Sequence, residues 1–137
     1  MIRLNDADEA ECRAGGFPSG AVALEASIRG SDLYFEYRRR GQTLAWFGAK
    51  GQQMISDVAL VWMLSAPEFQ DHKIAGARES IKVTRYFLSI YGTLVAYVHL
   101  DHKVSRNWLH WLGYHDMRVQ DNFIWMRCNR EGWKWAS

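Results

Sequence analysis

Residues 57–114 read DVALVWMLSAPEFQDHKIAGARESIKVTRYFLSIYGTLVAYVHLDHKVSRNWLHWLGY, and this stretch decides the fold. Its first eight residues (57–64) and the later run LVAYVHL (94–100) are apolar on both faces, as strands covered from two sides must be. Between them, apolar or small residues recur at Ala77, Ile81, Thr84, Leu88 and Tyr91, spaced by four, three, four and three. That period predicts a helix with one buried stripe from about Ala75, ending at Gly92, with Arg78, Glu79, Lys82 and Arg85 largely off the stripe. Two buried strands joined by a crossover helix form a parallel pair. A short helix near 105–112 follows and stops at Gly113.

Working back toward the N-terminus, TLAWFGAK and LYFEYRRR read as a hairpin turning at Gly41-Gln42. In the second of these, Leu33, Phe35 and Tyr37 lie on one side and Tyr34, Glu36 and Arg38 on the other, the period of a half-buried strand. Gly51 to Ser56 reads as a turn. Ser19 opens a helix through about Ile28 that stops at Gly30. Asn5 or Asp6 caps an Ala- and Glu-rich turn ending at Gly15-Gly16, and MIRL is a short first strand. Three antiparallel strands are thus expected before the central one. Toward the C-terminus, YHDMRVQDNFIWMRC reads as a hairpin turning at 120–122, and REGWKWAS as a partly ordered tail.

The 137 residues are 48% hydrophobic and 23% charged, and no Pro-, Gly- or Ser-rich stretch or repeat divides them, so one domain over 1–137 is expected. A net charge of +2 gives no electrostatic reason to expect a nucleic-acid partner. Cys12 and Cys128 have no metal or redox spacing and read as free thiols. The start MIRLNDADEAEC is acidic and polar, unlike a secretory signal, and no apolar run reaches the length of a membrane span. His99, His102, His110 and His115 have poor ligand spacing, so no metal is expected.

The segment His102-Lys103-Val104-Ser105-Arg106-Asn107-Trp108-Leu109-His110-Trp111-Leu112-Gly113-Tyr114 resembles the Asn-x-x-Ala-x-x-x-Tyr-x-x-x-Gly-Phe segment of the GNAT N-acetyltransferases, and the element order resembles theirs over nearly the whole chain. The resemblance implies an α+β fold, a mixed, mostly antiparallel sheet of six or seven strands with helices on both faces. It implies two central strands that splay, with acetyl-CoA in the gap. Main-chain groups of Met63, Leu64 and Ser65 would pair with the pantetheine amides. The pyrophosphate would meet His72-Lys73-Ile74-Ala75-Gly76-Ala77, set against the family's Arg/Gln-x-x-Gly-x-Gly/Ala, with charge from Lys73 and Arg78.

The departures matter as much. Leu109 stands where the family's Tyr protonates the leaving thiolate, and leucine has no proton to give; His102, His110 or Tyr114 would have to substitute. No carboxylate of the strand at 57–64 stands out as a base. Asp57-Val58-Ala59-Leu60-Val61-Trp62-Met63-Leu64, Pro67-Glu68-Phe69 and the segment from Trp108 to Tyr114 further resemble short internal-virion or virion-assembly proteins of podoviruses. That narrower likeness implies a phage protein in the host cytoplasm or virion interior.

Three function classes follow: an acetyl-CoA-dependent N-acetyltransferase acting on an amine, a catalytically silent phage protein that binds a virion or host protein, and a weaker nucleic-acid-binding reading. Trp133 and Trp135, with no evident core partner, are the candidate partner surface of the second. Arg38-Arg39-Arg40 beside Tyr34 and Tyr37 is the patch of the third.

Overall fold

A computed structural model describes residues 2–52 and 55–136. Helices α1 (Asp6–Ala14) and α2 (Gly20–Gly30) open the chain, capped by the Asn5 and Ser19 side chains. Strands β1 (Leu33–Arg39), β2 (Gln42–Gln52) and β3 (Ile55–Ser65) form an antiparallel meander. A 3-10 turn (Pro67–His72) runs into α3 (Lys73–Ile90), followed by β4 (Thr93–His99), α4 (Lys103–Leu112), β5 (His115–Gln120) and β6 (Phe123–Asn129). The six strands make one sheet in the order β1-β2-β3-β4-β6-β5, with β3 and β4 parallel and the other pairs antiparallel.

The sheet is covered on both faces. On one face α3 and α4 bury Val83, Phe87, Leu88 and Leu112 against Phe47, Leu94, Ala96, Val98 and Met126. On the other, α1 and α2 bury Cys12, Ala23 and Leu24 against Trp46 and Leu64. The C-terminal hairpin turns through Asp121 and Asn122, both at positive φ (54° and 67°), the primed geometry that matches strand twist. Gly113 ends α4 in the left-handed region, φ 108°, and the Trp133 indole lies where a Cβ there would sit.

Four expectations are corrected. MIRL forms no strand over residues 2–5; its place beside β3 is held by a hydrogen bond from Asn5 N to Ser65 O (2.9 Å), so two antiparallel strands precede the central one. The buried stripe of α3 is Gly76, Ser80, Val83, Thr84, Phe87 and Leu88, rotated from the expected stripe because two small residues take core positions. Gly76 packs on Phe69, whose ring occupies the space of a Cβ (2.4 Å), and Ser80 Oγ satisfies itself on Gly76 O. Of the turn expected at 51–56, Gly51 and Gln52 belong to β2 and Ile55 and Ser56 to β3, while Gln53 and Met54 lie outside the described residues. Finally, Trp133 is buried, its indole N–H donating to Leu112 O (2.6 Å), and Trp135 packs on Trp111 with its N–H on Trp111 O (2.9 Å). Trp133 therefore belongs to the core, and Trp135 is half-buried against α4.

Candidate functional site

Strands β3 and β4 pair over three positions only: Val58 with Thr93, Ala59 with Leu94 and Leu60 with Val95. Beyond Leu60 and Val95 the two strands run on without pairing. The far end of this opening is tied by α1. Asp8 accepts from Ser65 N (2.9 Å) at the end of β3, and Glu11 accepts from His99 N (2.7 Å) at the end of β4. Asn5 adds bonds from Nδ2 to the Ser65 carbonyl and hydroxyl. Two carboxylates of one helix thereby take the place of the missing ladder, leaving a window about four residues, or roughly 13 Å, long.

The window opens a cavity of about 640 Å³ lined from both faces of the sheet. Asp8, Glu11, Cys12, Ser31 and Trp62 contribute from the α1–α2 face, and Phe69, Thr84, Trp108, Leu109 and Tyr114 from the α3–α4 face. Trp62 does not plug it. Its ring lies over Gly48, is stacked with Tyr34 and is held by a hydrogen bond to Ser31 Oγ (2.7 Å). Met63, Leu64 and Ser65 all line the cavity, but the main-chain groups of Ser65 are already taken by Asp8 and Asn5. Strand alternation turns the Met63 N–H and C=O to the same side as those of Ser65, toward the window, where no β4 residue pairs with them.

The start of α3 borders a second cavity, about 460 Å³, lined by His72, Lys73, Ala75 and Arg78 together with Arg39 from β1 and one acid, Asp71. His72 occupies the cap position without a side-chain cap bond, so the first-turn N–H groups keep their donor capacity. Of the residues singled out in the sequence here, Ala77 is not in the lining and Gly76 is turned inward onto Phe69. Arg39, read first as part of a basic patch, joins this cluster. Arg38 is bound to Glu36, Thr43 and Gly41 O, and Tyr37 packs on Phe69.

At the tied end of the window Asp8, Glu11 and His102 bring one ligand atom each within 4.8 Å of the others. The His102 Nδ1 accepts from Ser105 N (3.4 Å) as it caps α4, so Nε2 carries hydrogen and donates to Asp8 Oδ1 (2.7 Å). Burial opposes a charged His102, but the Asp8 hydrogen bond and the charges of Glu11 and Asp8 outweigh it and its pKa is raised. Burial pushes Glu11 up to about 7; the His99 N–H and the His102 charge pull it down, and Asp8 adds to the rise. Burial, then the charges of Asp8, Glu11 and Glu9, push the Cys12 thiol up to about 12. Both Asp8 oxygens and one Glu11 oxygen already accept protein hydrogen bonds, which leaves Glu11 Oε1 as the open acceptor of the three side chains.

The three expected proton carriers separate. His102 sits in the cluster. His110 is exposed, paired with Asp116 on β5 (2.7 Å), and is not in the cavity lining. Tyr114 lines the cavity but is buried, which lifts its hydroxyl well above the ordinary tyrosine range and makes it a poorer acid. Leu109 lines the cavity with no proton to offer; one residue before it, Trp108 Nε1 is buried without a hydrogen-bond partner.

No family model and no curated protein matches the sequence. The architecture is matched by solved N-acetyltransferases. Aminoglycoside 6'-acetyltransferase type Ii superposes with a TM-score of 0.66 at 17% identity, over 92% of this chain and 86% of that one. The fold is that of the GNAT acetyltransferases. AAC(6')-Ib, solved with ribostamycin and coenzyme A, matches at 0.59 and 12% identity, over 83% of this chain and 75% of its own. A variant of the Vibrio cholerae spermidine N-acetyltransferase matches at 0.61 and 12%, over 82% and 76%. At these identities the GNAT likeness shows the fold, and the roles of individual residues rest on this chain's own geometry.

Asp8 and Glu11 were not singled out in the sequence. They lie 94 and 88 positions from the partners they contact, His102 and His99, and no local period links such residues. The available signal was their spacing of three on a helix, which puts both acids on one face next to the buried Cys12.

Proposed function

We propose that this chain is an acetyl-CoA-dependent N-acetyltransferase that passes the acetyl group directly to an amine. The observation that carries the reading is the opening between β3 and β4 after three paired residues, continuous with a cavity that reaches both faces of the sheet. A pantetheine chain needs this shape, a slot with free main-chain groups on one rim, here Met63. The diphosphate would sit at the uncapped start of α3, with Arg39, Lys73 and Arg78 supplying positive charge and His72 and Ala75 beside it. The bound coenzyme would bring the activated thioester; the protein's part is to hold it across the window and to admit an amine from the α1–α2 face.

A second reading, a catalytically silent protein of virion assembly, is favoured by Leu109 in the position of the family's phenol. Its candidate surface is narrower than the sequence suggests, because Trp133 is buried and Trp135 is half-buried against α4. Thermal unfolding with acetyl-CoA separates the two. Ligand at a hundred times its dissociation constant adds about 2.7 kcal/mol, which for 137 residues is a rise of about 9 °C. An unchanged Tm at millimolar acetyl-CoA would sink the enzyme reading.

A further inference from the structure

The cluster at the tied end of the window contains four carboxylate oxygens with unequal duties. Asp8 Oδ2 accepts from Asn5 and Ser65, Asp8 Oδ1 accepts from His102, and Glu11 Oε2 accepts from His99 N. Among the described residues, Glu11 Oε1 alone has no protein donor. Glu11 is also the more open of the two acids: Asp8 is 7% exposed, while Glu11 is half-buried and lines the cavity on the α1–α2 face. The β3 strand supplies no acid within the window, and Leu109 supplies none from α4.

We infer that Glu11 is the general base of this cleft and that its acceptor is a primary amine carried on an apolar or aromatic body. The inference deepens the acetyl-CoA reading and rests on it. The lining around Glu11 sets the class of acceptor. Tyr97 lies on the opposite face of β4 from the core residues Ala96 and Val98, and so toward α1. Its ring meets that of Phe123 edge to face at 5.8 Å, and both line the cavity with Trp62, Cys12 and Phe17. Beyond Asp8 and Glu11 this face offers no carboxylate to a second or third ammonium, which disfavours a polyamine.

The step balances without another reactant. An uncharged amine nitrogen gives its lone pair to the thioester carbon and the C–N bond forms. The C–S bond breaks with its electron pair left on sulfur. The proton shed by nitrogen passes to Glu11, and water carries it to the thiolate. His102 is a positioning residue here, holding Asp8 and the start of α4 beside Glu11. The titratable groups facing Glu11 are Asp8 and Cys12 on its own helix and His102 before α4; β4 presents the His99 main-chain N–H and, from the same face, the Tyr97 phenol in the shared lining. A carboxyl group held at about 7 is half ionised at neutral pH, suited to taking a proton there.

The test uses the full chain with acetyl-CoA and three probe amines, phenethylamine, spermidine and glycine, following thiol release from pH 5.5 to 8.5. Phenethylamine is expected to be the best acceptor, with kcat rising with pH through about 7. Glu11→Gln is expected to lower kcat by about 10²- to 10³-fold and to abolish that rise, with the acetyl-CoA Kd changed less than twofold. Glu11→Asp, which keeps the charge but shortens its reach, should fall between. If Glu11→Gln keeps the wild-type kcat, or if phenethylamine is not acetylated by a protein that binds acetyl-CoA, the inference is overturned while the cofactor reading stands. A protein that binds no acetyl-CoA loses both.

Discussion

Replacing Glu11 by Gln should make this protein more stable at alkaline pH. Glutamine keeps an oxygen for the His99 N–H and removes only the charge. The carboxyl pKa is raised from 4.5 to about 7 in the fold, chiefly by burial, so the folded state holds more protons than the unfolded state between those values. Stability therefore falls as pH rises through that window, and the full penalty is present above about 7. Two and a half units at about 1.36 kcal/mol each set a ceiling of about 3.4 kcal/mol. Glu11 is only half-buried and shares its site with His102, and solvent and coupling reduce this to about 1–2 kcal/mol. For 137 residues that is a gain of about 3–7 °C in Tm at pH 8.5. At pH 4.5 the gain should vanish. Calorimetric melts of both proteins across this range measure it. A variant less stable than wild type at pH 8.5 would instead make Glu11 a structural tie between α1 and β4 and not a strained acid. Added stability with lost activity is what a group retained for chemistry should show.

Two further outcomes test the frame around the cleft. Trp133→Ala should cost about 3–5 kcal/mol, because it empties a core site over Gly113 and leaves Leu112 O without its donor; a loss below 1 kcal/mol in urea melts would make the tail dispensable. Ala75→Glu should weaken coenzyme A binding at least tenfold by adding a second carboxylate, beside Asp71, to the second cavity, and an unchanged Kd by calorimetry would remove the α3 start as the diphosphate site.

What the sequence made legible follows from range. The hairpins, α3 and the stop at Gly113 are local patterns of period two or 3.6 and of turn chemistry, and each formed where read. The parallel pairing of β3 and β4 followed from two runs apolar on both faces and one crossover helix. MIRL was misread because a four-residue alternation cannot tell a strand from an extended lead-in, and here Asn5 and Asp8 side chains do the pairing. The α3 stripe was set off by one position because Gly76 and Ser80 do not count as core until Phe69 is seen against them. Trp133 and Trp135 find partners on α4, more than twenty residues away, which no local rule supplies. In the site, His102 and the residues of the α3 start were within reach through motif spacing, whereas Glu11 and Asp8 became visible only when the fold brought α1 across the ends of β3 and β4.

A crystal structure of the protein with coenzyme A would decide whether the window between β3 and β4 is a coenzyme slot. The pantetheine is expected to pass between residues 61–64 and 96–98, with an amide bonded to the Met63 main chain, the diphosphate at Lys73–Ala75 and the sulfur toward Glu11. Coenzyme bound elsewhere, or a window that closes into a continuous β3–β4 ladder in the crystal, would contradict it.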